Sequence, residues 1–164
     1  MLEVFEVFHR YYPKSKLFLV GIGPLEEDVR KRVEDKGLRN DVIFYGASDE
    51  VDVLYQAMDA IVFPSLYEGV GMVVVEAQIA GIPCLVSKKI PEEAKFSDYM
   101  KFVGLEEGEN VWAMAFNDIL KSGSQQRRCN LFDVRKSGFD IREEAKKLEN
   151  KYMKMFKEEK REKQ

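Results

Sequence analysis

Ala60-Ile61-Val62-Phe63-Pro64-Ser65-Leu66-Tyr67-Glu68-Gly69-Val70-Gly71-Met72-Val73-Val74-Val75-Glu76-Ala77-Gln78 carries a strand, a turn and a helix in one uninterrupted run. The apolar residues 60–64 end on Pro64, which has no N–H to give a central ladder. Gly69 and Gly71 then let the backbone turn tightly, and apolar residues resume from Met72 to about Ala80. A strand, a short turn and an apolar helix form the repeating unit of a parallel sheet covered by helices. Two glutamates, Glu68 and Glu76, bracket the turn. Glu76 stands among valines and alanine, and a charge placed among buried apolar neighbours costs several kcal/mol, in order of magnitude, unless something pairs with it. The first-turn N–H groups of the helix are free to hold an anion. Phosphate at the turn and hydroxyls at the carboxylates describe a nucleotide sugar.

The same alternation extends outward in both directions. Strands are expected at 16–20, 42–46, 60–64, 82–87 and 101–104. Helices are expected at about 25–37, 50–58, 72–80, 92–99, 109–121, 124–135 and 140–160. Pro24 suits the first turn of the helix after the first strand, and Gly37 suits its stop. The chain opens inside a helix, with Leu2, Phe5, Phe8 and Tyr12 facing away from Glu3, Glu6 and Arg10. These elements predict a doubly wound, Rossmann-like α/β domain: a parallel sheet with helices on both faces.

Composition narrows the partners. The 164 residues are 45% hydrophobic, enough for one domain with its own core. A net charge of −3 offers no footprint for nucleic acid, and no apolar run approaches the ~20 residues that span a bilayer. Cys84 and Cys129 build neither a disulfide framework nor a metal site, which suits a reducing cytoplasm. His9, the only histidine, belongs to the surface of the first helix, and Ser65, with no base beside it, reads as a turn or cap residue. Trp112, Val111, Ala115, Phe116 and Ile119 have helical core spacing. Ile141, Ala145, Leu148, Tyr152 and Met155 form a stripe on a charged helix, where Glu143 and Lys147 are spaced as an exposed pair.

Pro64-Ser65-Leu66-Tyr67-Glu68-Gly69-Val70-Gly71, Glu76-Ala77-Gln78 and Ala80-Gly81-Ile82-Pro83 together resemble the donor-site signature of retaining glycosyltransferases of family four, which have the GT-B fold. The segments 17–24, 42–46 and 57–60 resemble that family's in the same order, so the resemblance covers roughly residues 1–120. It implies a nucleotide-sugar donor-binding domain at 1–138 and, at 139–164, the charged helix that crosses back to the other half of such enzymes. By the same resemblance Glu68 lies at the transferred sugar as the catalytic carboxylate and Glu76 at the ribose hydroxyls. The backbone of Val70, Gly71, Met72 and Val73 would hold the diphosphate, with Gly69 also at the donor. Gly21 and Gly23 would line the edge of the site as a turn, since the third glycine of a dinucleotide fingerprint is replaced by Glu26. Ser48 either faces the nucleobase or caps the next helix.

The implied donor is a nucleoside diphosphate sugar, a uridine diphosphate sugar first, used without a metal or other cofactor. The implied reaction passes a hexose to a glycan or lipid-linked acceptor in polysaccharide biosynthesis. The acceptor domain would be N-terminal, and the location cytoplasmic or peripheral at the inner membrane face. The family's first central strand, and the loop whose Arg and Lys neutralise the diphosphate, are not found in these residues. Either the strands at 16–20 and 60–64 pair directly, or another chain fills the slot, a homodimer through unpaired edges being one form of this. A GT-B sugar-nucleotide epimerase is the nearest alternative. A phospho-accepting signalling module would need an Asp where Phe63-Pro64 stands, and a dinucleotide-dependent oxidoreductase would need the third glycine.

Overall fold

The computed structural model describes residues 1–123 and 131–162. The chain divides into two compact units, Met1–Arg128 and Cys129–Gln164. In the first, α1 (Leu2–Tyr11) leads to β1 (Leu17–Val20), α2 (Glu26–Asp35), β2 (Val42–Gly46) and α3 (Val51–Ala57). β3 (Ile61–Phe63), α4 (Met72–Ile79), β4 (Cys84–Ser87), β5 (Met100–Val103) and α5 (Gly108–Gly123) complete it. Each expected strand is present within two residues of its expected ends.

All pairings are parallel, but the strands form two sheets. β1 pairs with β2 from Leu17 opposite Val42, with a bulge between Leu19 and Val20. β4 lies between β3 and β5, with Leu85 opposite both Val62 and Lys101. Direct pairing of the 16–20 and 60–64 strands is therefore not what the chain does: β1 and β3 share no ladder.

The cores follow the apolar pattern. β4 is buried along its whole length, as a strand covered on both faces must be. Beside it Leu85 packs with Val103, Trp112 and Ala115. A second cluster joins Leu2 and Phe5 of α1 to Val33, Leu38 and Val42. α1 serves both, because Val4 packs on the Leu85 cluster and the Phe8 ring meets Phe116 edge to face at 4.8 Å. Ion pairs tie α1 to α2 through Glu3–Arg32 and Glu6–Lys36.

Residues 92–99 depart from the expected helix, since only a single 3-10 turn forms at Glu92–Ala94. The buried amide of Gln78 takes over this segment. Its Oε1 accepts from the backbone N–H groups of Phe96 and Ser97, each at 3.2 Å, and its Nε2 donates to the Ala94 carbonyl at 2.8 Å. Those bonds hold the strand-like approach to β5 in place of a helical ladder.

In the second unit α6 (Leu131–Lys136) and α7 (Ile141–Glu162) follow one another. The first seven positions of the expected 124–135 helix, and Cys129, lie outside the described residues. Asp140 caps α7, its Oδ1 accepting from Arg142 N–H at 3.0 Å. The apolar stripe of α7 is exposed at Ile141, Leu148, Tyr152 and Met155. Lys147 pairs with Glu144 at 2.6 Å, rather than with the expected Glu143.

Candidate functional site

Parallel strands deliver their C-terminal ends to the same edge of a sheet, and the loop leaving β3 there carries Glu68 into α4. The loop is fixed from below. The buried Ser87 hydroxyl, at the end of β4, donates to the Ser65 carbonyl at 2.6 Å. The Ser65 hydroxyl in turn lies 2.9 Å from Glu68 Oε1 and 3.1 Å from the Tyr67 carbonyl, with one proton to give. Ser65 is thus a turn residue whose hydroxyl steadies Glu68.

Gly71 begins α4 with φ +77° and ψ +62°, the left-handed region where a side chain costs energy and glycine does not. Its carbonyl accepts from Val74 N–H at 2.9 Å, and no side chain caps the helix. The N–H groups of Met72 and Val73 consequently have no acceptor among the described residues. Ile90, buried after β4, packs over Gly71, so the turn is backed by apolar side chains. Gly69 shows no left-handed φ and nothing near its Cβ direction.

The setting of Glu76 corrects the sequence expectation. Its valine neighbours in sequence are not its neighbours in space, because 100° per residue turns Val74, Val75, Ala77 and Gln78 inward and leaves Met72, Val73 and Glu76 on the exposed face. The carboxylate is therefore not a buried charge. It does have a protein partner: the phenol of Tyr55, on α3, donates to Glu76 Oε2 at 3.0 Å and lies 3.2 Å from the Val73 carbonyl. Burial, then the bond to Glu76, raises the Tyr55 phenol well above its usual pKa, so it remains a donor. Tyr55 went unnoticed in the sequence. The available signal was a hydroxyl-bearing ring at an inward position of a short helix, which must find a partner.

The remaining candidates have other partners. Gly21 (φ +128°) follows β1, and its N–H donates to the Gly46 carbonyl at 2.8 Å. Gly23 has neither a left-handed φ nor a neighbour within 4 Å of its Cβ direction. The Ser48 hydroxyl accepts from Glu50 N–H at 3.1 Å and closes the turn before α3. His9 is partly buried, with Nδ1 3.0 Å from the Ser15 hydroxyl and Nε2 3.5 Å from Asp41, so it ties the end of α1 to the start of β2. Trp112 is core, donating to the Gly104 carbonyl at 2.8 Å, whereas Val111 is exposed. Cys84 is buried, which pushes its thiol up to about 12 and makes it inert. A groove of about 360 Å³ between α1 and α5, lined by Val7, Phe8, Tyr11 and Met114 among others, includes none of the candidate residues. Among the described residues no three His, Cys, Asp or Glu side chains group to hold a metal, and no helix is long and apolar enough to cross a membrane.

Residues 1–130 match the family described as Glycosyl transferases group 1. Over 140 residues the chain is 31% identical to a Bacillus subtilis (strain 168) protein named "Putative glycosyltransferase EpsF", covering 85% of this chain and 36% of that one. This chain thus spans little more than a third of that relative's length. Sucrose-phosphate synthase from Thermosynechococcus elongatus has the same fold over 94% of this chain and 42% of its own, with a TM-score of 0.74 at 23% identity. The pneumococcal O-GlcNAc transferase GtfA, solved with UDP and GlcNAc, matches 96% of this chain and 32% of its own at a TM-score of 0.63 and 18% identity. With its α/β architecture of parallel strands flanked by helices and a match across most of its length, the chain belongs to the group 1 glycosyl transferase family.

Proposed function

We propose that this chain is the donor-binding part of a retaining hexosyltransferase that takes its sugar from a nucleoside diphosphate, a uridine diphosphate first. The observation that carries this reading is the uncapped start of α4, whose Met72 and Val73 N–H groups have no acceptor among the described residues and lie in sequence between Glu68 and Glu76. A helix N-terminus suits an anion, and ionised carboxylates, which only accept, suit hydroxyls. The diphosphate would sit against the backbone from Val70 to Val73, with Gly69 beside the donor and Glu76 accepting from the ribose. Glu68, held by Ser65, would accept from the sugar or support positive charge developing at its anomeric carbon. Gly21, Gly23 and Ser48 would form the outer edge. The likeness to GtfA, a transferase solved with UDP and GlcNAc, supports the choice of donor. The name of EpsF supports glycosyl transfer as the reaction.

The acceptor, a glycan or a lipid-linked sugar, would be held by a further domain at the N-terminal side, and residues 139–164 would cross back toward it. The unpaired sides of β1 and β3 would support a homodimer of the isolated chain. Calorimetric titration of the chain with uridine, guanosine and adenosine diphosphate sugars tests the reading. Weak binding that favours one nucleotide, with Glu76→Gln weakening it about tenfold or more through loss of charge-assisted bonds, is the expected outcome. No glycosyl transfer to an added acceptor is expected, because holding the acceptor against the anomeric carbon would fall to the further domain. Binding of no nucleoside diphosphate at millimolar concentration would end the proposal.

A further inference from the structure

We infer that Tyr55 is the positioning residue of the donor site, holding the Glu76 carboxylate in the one orientation that lets it read a diol. The inference rests on the assignment of Glu76 to the ribose. Tyr55 is 3% exposed, so its ring is held by the surrounding side chains. Its single proton faces two acceptors, Glu76 Oε2 at 3.0 Å and the Val73 carbonyl at 3.2 Å. The ionised carboxylate is the stronger acceptor, and it takes the proton. Burial and the bond to Glu76 hold the phenol above its usual pKa, so the donor persists across the neutral range.

Glu76 itself is exposed, and no donor reaches its Oε1 among the described residues. A free glutamate on a helix surface samples several rotamers and carboxylate planes, and fixing them on binding costs affinity. One bond from a rigid, buried ring removes that freedom beforehand. It uses one of about four acceptor positions on the carboxylate and leaves the others for a ligand. Two hydroxyls on adjacent carbons could then donate to a plane already set. A lone acceptor on a flexible stem would discriminate a diol poorly, whereas a pinned one should discriminate it well.

The test compares uridine diphosphate with 2′,3′-dideoxyuridine diphosphate by titration calorimetry on the full 164-residue chain. Wild type should prefer the ribose form by about tenfold, the scale of one charge-assisted bond. Tyr55→Phe, which keeps the ring, should bring that ratio toward one while affinity for the dideoxy form stays level. The Tyr55→Phe/Glu76→Gln double variant should lose no more of the preference than Glu76→Gln alone. If Tyr55→Phe weakens both ligands equally, Tyr55 only supports the fold and the inference is overturned while the ribose assignment stands. If wild type makes no distinction between the ligands, the ribose assignment of Glu76 is wrong, and the role of Tyr55 falls with it.

Discussion

Gln78 and Glu76 are two positions apart on one helix and do opposite work. Gln78 is 2% exposed and spends its whole amide on protein: Val74 and Ala94 carbonyls on one side, Phe96 N–H, Ser97 N–H and the Ser97 hydroxyl on the other. Gln78→Leu would keep the volume and remove the bonds to the buried Ala94 carbonyl and the partly buried Ser97 N–H, a buried group left unsatisfied costing about 1–3 kcal/mol. Urea unfolding should therefore show a loss of at least about 2 kcal/mol, with the 92–99 segment loosened first. Glu76→Gln should leave that midpoint nearly unchanged, because its carboxylate is exposed. The sequence made both residues visible as polar interruptions of an apolar helix and could not rank them. Which one faces inward depends on the phase of the helix, and that phase is set by where Gly71 turns the chain. Glu68 was legible as a loop carboxylate, while its support by Ser65, and the Ser87 bond beneath, needed strands distant in sequence to be brought together.

At the scale of elements, the strands were legible because apolar runs bounded by turn residues have few alternatives. The 3-10 turn at Glu92–Ala94 was not, since Gln78 overrides the local preference. α1 illustrates how charge supplements burial. The carboxyls of Glu3, Glu6 and Asp41 are all held below their usual range: Glu3 first by a backbone N–H, Glu6 first by Lys36, Asp41 first by Lys16. A carboxyl whose pKa is lower in the folded state contributes stability above its unfolded value, and that contribution is lost as pH falls through the folded one. Docking of α1 should thus weaken below about pH 4, where free carboxyls protonate. A series of urea midpoints from pH 6 to pH 3 should fall toward acid, and Glu6→Gln should flatten the fall. These groups are partly exposed, so salt should blunt the effect.

Across the whole molecule, β1 and β3 each keep one side of their backbone unpaired, and strand edges of this kind pair readily with other chains. Sedimentation velocity across the micromolar range should show reversible association, reduced by a charged substitution at an exposed edge position such as Val20→Lys. A monomer at every concentration would mean that side chains shield these edges well enough. The family itself was legible from the turn between the two glutamates and its flanks, since those residues are local in sequence. The division into two sheets was legible only as one of two alternatives, because the absent central strand marked the slot while no local pattern states whether its neighbours close it.

That division has a consequence for motion. Hydrogen bonds make a sheet open as one body, whereas the seam here is mostly the apolar contact of Val4, Phe5 and Phe8 side chains, with single side-chain bonds such as Tyr12–Asn117 and Tyr55–Glu76 beside it. Amide hydrogen exchange should then resolve two cooperative units inside residues 1–123. Amides of β4 and β5 should exchange only in the largest opening, with a steep dependence on denaturant. Those of β1 and β2 should exchange through a smaller, shallower opening in which α1 lifts while the Leu85 cluster stays closed.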